Sequence, residues 1–106
     1  MNDIIIGIIE GASKYPTVTR VGVFGSYARG EQTTDSDIDI IYDYSDINPD
    51  NITEILDYGD ELITGFREIK INVDFVSLPS IMQSINRITR KNILDEVVWV
   101  YQKPVT

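Results

Sequence analysis

Cysteine and histidine are both missing from this chain. Without cysteine there is no disulfide framework, and without either residue the Ser-His-Asp and Cys-His nucleophiles, imidazole proton shuttling and the usual zinc sites are excluded. Any chemistry must be done by carboxylates, hydroxyls, lysine or arginine. Basic residues are scarce as well: 9 Lys and Arg stand against 17 Asp and Glu, a formal charge of −8. A field of that sign repels phosphate backbones, which argues against a broad footprint for duplex nucleic acid. Long hydrophobic runs are also absent. The apolar stretch at residues 4–9 is short, is flanked by Asp3 and Glu10, and has no basic start, so neither a membrane span nor a secretory leader is expected. The cytoplasm is then the default compartment, and the oligomeric state, a homo-oligomer included, is left open.

What is present suits one small globular unit: 106 residues, 42% of them hydrophobic and 25% charged, read as a single domain over residues 1–106. The acids are unevenly spread. Between residues 31 and 61 there are eleven carboxylates and no Lys or Arg, a density that favours a divalent cation with hard oxygen ligands. The pattern predicts a helix over residues 2–14 with Asn2 as N-cap, a β-branched strand over 17–24, a single helical turn at 27–30, and a second strand over 37–42. A helix over 50–64 with Gly65 as C-cap, a strand over 68–78, a last helix over 80–95 and a short edge strand over 97–101 follow, with Trp99 in the core or beneath a partner. The sum is an α+β, α/β-like plan: one small mixed sheet with helices packed on one face, the other face left for a ligand.

Three features converge on that free face. Gly25-Ser26 closes the first strand, Asp37 and Asp39 begin the second, and Asp74 lies inside the third. Asp37 and Asp39 are two apart, so both leave the same sheet face while Ile38 and Ile40 supply the buried one. If the second and third strands are neighbours, Asp74 joins them, and three such anions are costly unless cations bind among them; a magnesium pair answers this. Gly25 lets the backbone approach a phosphate, Ser26 and the amides after it offer donors, and Arg29 can neutralise departing pyrophosphate. Together these parts describe phosphoryl or nucleotidyl transfer, with metal ions replacing the missing histidine base. Each part alone has a plainer explanation. Gly-Ser is commonly a turn with a helix cap, Asp-Ile-Asp is the pattern of any wet-faced strand, one aspartate is tolerated on such a strand, and Arg29 could simply pair with Glu31 or Asp35. A calcium loop starting at Asp35 is excluded by Ile40, which stands where the sharp turn needs glycine.

The run Gly25-Ser26-Tyr27-Ala28-Arg29-Gly30, followed by Ser36-Asp37-Ile38-Asp39-Ile40, resembles the signature of minimal nucleotidyltransferases of the DNA polymerase beta superfamily: Gly-Ser, ten residues (27–36), Asp-x-Asp. Val73-Asp74-Phe75-Val76 resembles that family's third-carboxylate strand. The resemblance implies transfer of AMP from ATP to an acceptor hydroxyl, with Asp37 and Asp39 holding two Mg2+ ions. It also implies that Asp74 holds the catalytic ion and assists deprotonation, that Ser26 meets a terminal phosphate, that Gly25 shapes the turn, and that Arg29 helps with phosphates. Among short members the chain resembles the MNT antitoxins of HEPN/MNT toxin–antitoxin pairs, which add AMP to a tyrosine of a helical HEPN ribonuclease. With 106 residues and no additional helical domain in them, the acceptor platform is expected from another chain. Two alternatives stay open: a module that neutralises its partner by docking alone, and a small-molecule nucleotidyltransferase working with a separate helical subunit. The stretch after Pro79 carries no aligned motif.

Overall fold

The computed structural model describes residues 2–83 and 86–103. Among the described residues nine elements follow one another: α1 (Asn2–Ser13), β1 (Val18–Phe24), α2 (Ser26–Arg29), β2 (Ile38–Tyr44), α3 (Ile52–Glu68), β3 (Val73–Ser77), α4 (Leu78–Met82), α5 (Arg87–Glu96) and β4 (Val98–Gln102). The strands form one sheet in the order β3-β2-β1-β4. β1 runs antiparallel to both β2 and β4, whereas β3 lies parallel to β2 after the α3 crossover. This is the expected mixed α+β sheet. The described residues contain no helix long and apolar enough to cross a membrane.

Strand alternation decides which side chains become core. Ile38 and Ile40 of β2 point with Val21 and Val23 of β1 toward α1 and α3, where Ile8, Ala12, Ile55, Tyr58, Leu62 and Phe66 complete one buried cluster. Tyr58 sits at its centre, fully buried, and its hydroxyl donates to the Ile8 carbonyl at 3.1 Å, so burial leaves no orphan donor. Phe75 packs edge-on against Tyr58 and stacks on Tyr42 at 4.2 Å. The two helices approach closely at Gly11, where a Cβ would stand 3.0 Å from the Tyr58 ring. Glu54, in the first turn of α3, accepts from both the amide and the hydroxyl of buried Thr17, fastening that helix to the start of β1.

Several boundaries differ from those predicted. α3 does not stop at Gly65 but continues to Glu68, and the chain turns at Lys70 in the left-handed region, φ 62°. A helix interior tolerates one glycine when its apolar face continues to Phe66, which is buried. The third strand is correspondingly shorter than residues 68–78. The single helix expected over 80–95 is two: α4, capped by the Ser77 side chain, and α5, capped by the Asn86 side chain. Leu56 and Ile52, expected on the apolar face of α3, are exposed. Trp99 is 36% exposed and outside the core, its ring covered by the Arg20 guanidinium at 4.2 Å. The N-cap expected of Asn2 lies outside the described side chains.

Candidate active site

The opposite side of β2 carries Asp39, Ile41 and Asp43. Ile41 is fully buried there without joining the main core, and α4 packs against β2 and β3. Toward the start of β2 this face is open. Asp39 is the register partner of Asp74 across the parallel β2–β3 pair and of Phe24 across the β1–β2 pair. Equivalent positions on neighbouring strands point to the same side, so the two carboxyl groups come within hydrogen-bond reach of one another. The adjacency of strands on which the three-carboxylate expectation depended is therefore present.

Electrostatics follow from that crowding. Partial burial, then the hydrogen bond and charge of Asp74, and then the charge of Asp37 push the Asp39 carboxyl up from its ordinary 3.8 to about 6, with Arg29 pulling weakly the other way. The Asp39 carboxyl therefore keeps its proton to a higher pH than a free aspartate does. Asp37 contributes through space only. It is exposed at the strand entrance, and among the described residues no three carboxylates are gathered tightly enough to enclose a metal ion as they stand. The donor set nevertheless fits magnesium in kind. It consists of hard anionic oxygens on one face, two of them already adjacent and raised in energy by mutual repulsion that a cation relieves.

Gly25 closes the site from the β1 side. Its backbone, φ 72° and ψ −151°, lies in a region that side chains exclude, and a Cβ here would stand 2.2 Å from Asp39 Oδ2. Both facts demand glycine, and the second means that the Gly-Ser turn rests directly on the carboxylate. Ser26 begins α2, and its hydroxyl has no hydrogen-bond partner among the described residues. Gly30 ends the turn in the left-handed conformation at φ 72°. Arg29 donates from Nε to Glu31 and from Nη1 to Glu96, each at 3.0 Å. The plainer pairing with Glu31 is thus present, and Asp35 is not a partner. Glu96 was invisible in the sequence, since 67 positions separate it from Arg29 and only the placement of α5 brings it near.

A family model described as polymerase beta, nucleotidyltransferase, matches residues 7–104. The protein adenylyltransferase MntA of Thermococcus cleftensis is 40% identical over 85 residues, covering 78% of this chain and 75% of that protein. Among solved structures, the toxin–antitoxin MntA–HpeT carrying two aspartate-to-glutamate changes superposes with a TM-score of 0.63 at 15% identity, over 93% of this chain and 73% of that one. A toxin–antitoxin crystal structure with AMP-PNP gives 0.58 at 19% identity, over 95% and 73%. At such identities the two structures speak for the fold alone.

Proposed function

The chain belongs to the polymerase beta nucleotidyltransferase family, and from that premise we propose that it transfers AMP from ATP to a tyrosine hydroxyl of a helical HEPN ribonuclease, silencing that toxin as its antitoxin. The observation that carries the chemistry is the pairing of Asp39 with Asp74 beneath the Gly25 turn. The protein acceptor rests on the kinship with a relative named protein adenylyltransferase MntA, and the toxin partner on that relative's sharing the name MntA with the toxin–antitoxin MntA–HpeT. Residues 1–106 then act as one nucleotidyltransferase domain in the cytoplasm, where ATP is at hand.

Asp37, Asp39 and Asp74 would hold two magnesium ions, which supply Lewis-acid neutralisation of the triphosphate and of the departing pyrophosphate. Asp37 must turn inward to take part, and its exposed position at the strand entrance leaves it room. Asp74 accepts the proton of the attacking hydroxyl. The acceptor oxygen forms a bond to the α-phosphorus, the α–β bridging bond breaks, and pyrophosphate leaves with that electron pair. The unpartnered Ser26 hydroxyl and the close-lying Gly25 backbone hold a terminal phosphate beside Asp39. Arg29 offers Nη2, the guanidinium nitrogen not used by Glu31 or Glu96, to the phosphate charge. Incubation with magnesium, α-labelled ATP and the HEPN protein should label that protein, and Asp39→Ala should remove at least about 99% of the label. Unlabelled partner with the wild-type chain overturns the proposal.

A further inference from the structure

On the far side of the sheet from Asp39, α1 and α3 leave an open groove of about 370 Å³. Its floor is apolar: Ile4, Leu62, Phe66 and Ile69 line it, and Ile69 is 58% exposed. Its rim is acidic. Asp3, Glu10 and Glu61 stand around it, and the only basic residue lining it among the described residues, Lys14, is already bonded to Glu61. Asp3 and Glu10 have no salt bridge among the described residues.

Two glycines of the lining support the groove as a contact surface. Gly7 and Gly65 lie inside helices, have ordinary backbone angles, and a Cβ on either would meet nothing within 4 Å. Neither the turn geometry that fixes Gly25 nor the close packing that fixes Gly11 accounts for them, and glycine inside a helix weakens it. What they do is leave bare backbone facing the groove from both helices. Bare backbone of this kind lets another helix approach closely.

We propose that this groove docks an amphipathic helix of a different protein, one whose small apolar ridge is flanked by Lys or Arg. Charge selects that occupant. A second copy of this chain would set the same rim acids against one another, with −8 on each molecule, whereas a basic flank finds Asp3 and Glu10 without a salt bridge among the described residues. The groove lies on the face opposite the carboxylates, so a docked helix leaves Asp39 and Gly25 open and is not itself the acceptor segment. The chemistry at Asp39 is not a premise here.

The test uses the full chain and a labelled helical peptide of about 18 residues with an alanine–leucine ridge flanked by lysines, beside its twin with glutamates for lysines. Fluorescence anisotropy should show saturable binding of the basic peptide only. Gly7→Leu and Gly65→Leu should each weaken it at least about tenfold, and Glu10→Lys should do so without touching the helix backbone, which keeps the test decisive should a leucine variant misfold. Asp46→Lys with Asp50→Lys, an equal or larger charge change in the β2–α3 loop, should alter affinity less than about threefold. Equal binding of both peptides, no saturable binding, full affinity in the Glu10 variant, or a wild-type dimer in sedimentation that Gly7→Leu dissolves would each overturn the proposal. Magnesium–ATP binding measured on the same variants should stay at the wild-type level, separating this surface from the candidate active site.

Discussion

Adjacent residues of β2 meet opposite fates. Ile38 and Ile40 are fully buried beneath α1 and α3, while Asp39 between them presses against Asp74 and the Gly25 backbone on the other side of the sheet. The helix-covered face satisfies what it buries: Tyr58 gives its hydroxyl proton to Ile8, and among the described residues no buried side-chain polar atom lacks a partner. The carboxylate face is left in conflict, with an acid held near pKa 6. One strand thus separates stability from chemistry by its two-residue period. Substitutions on the two sides should therefore differ in sign as well as in size.

The largest expected effect lies on the helix-covered face. Tyr58→Ala removes the ring around which Ile8, Tyr15 and Phe75 pack and should lower unfolding free energy by about 3–5 kcal/mol, read as a shift of the urea midpoint. Tyr58→Phe keeps the ring and removes only the bond to Ile8, for about 1 kcal/mol. Next comes the junction of the two regions. Gly25→Ala forces a side chain into φ 72°, ψ −151° and against Asp39 Oδ2, which should cost about 1–3 kcal/mol and abolish AMP transfer together. Retained transfer in that variant would mean that the Gly-Ser turn does not shape the nucleotide site.

Much of this arrangement was legible because it is local. The phase of β2 follows from Asp-Ile-Asp-Ile, and its consequence, Ile38 and Ile40 inward and Asp39 outward, needs no tertiary information. Gly25-Ser26 marked the end of β1 by its turn chemistry, and the spacing to Asp37 carried the family resemblance. Events set by tertiary packing were not legible. Gly65 read as a helix end from its own chemistry, whereas the burial of Phe66 one position on keeps the helix going. Ile41 is buried on the carboxylate side, where α4 folds back toward β2 and β3. Trp99 is covered by Arg20 rather than by a core, and Arg29 meets Glu96 across most of the chain length. The three carboxylates are legible as sharing a face, but not the degree of their closure: Asp39 and Asp74 meet, while Asp37 stays outside.

Asp39→Asn should have the opposite sign to the core substitutions. It removes the charge that burial and Asp74 oppose, so it should stabilise the metal-free chain at neutral pH by about 1 kcal/mol after allowance for solvent screening, while AMP transfer is lost. The pH dependence has a definite sense. Between the ordinary 3.8 and the folded value of about 6, the folded chain holds a proton that the unfolded chain has released, so stability falls as pH rises through this window. The contribution is absent below it and constant above it. Magnesium should run the other way, binding more weakly below pH about 6 because it must displace the Asp39 proton. Thermal unfolding of the wild type and of Asp39→Asn at several pH values, with and without magnesium, reads both; a pH-independent difference between the two chains would break the account of the carboxylate face.

The smallest effect probes the helix-covered side again, at its outer surface. Gly7→Ala and Gly65→Ala place a methyl group in open space on an ordinary helical backbone, so each should stabilise the isolated chain by about 0.5–1 kcal/mol. Gly11→Ala should not, because its Cβ meets the Tyr58 ring at 3.0 Å. The contrast separates a glycine that the chain's own packing requires from two that it does not. If Gly7→Ala and Gly65→Ala instead destabilise, those glycines serve the α1–α3 contact itself, and the groove loses its support as a docking surface. If they stabilise, the free chain forgoes stability on this face too, through bare backbone rather than through charge, and it does so where a partner helix would recover the loss on binding.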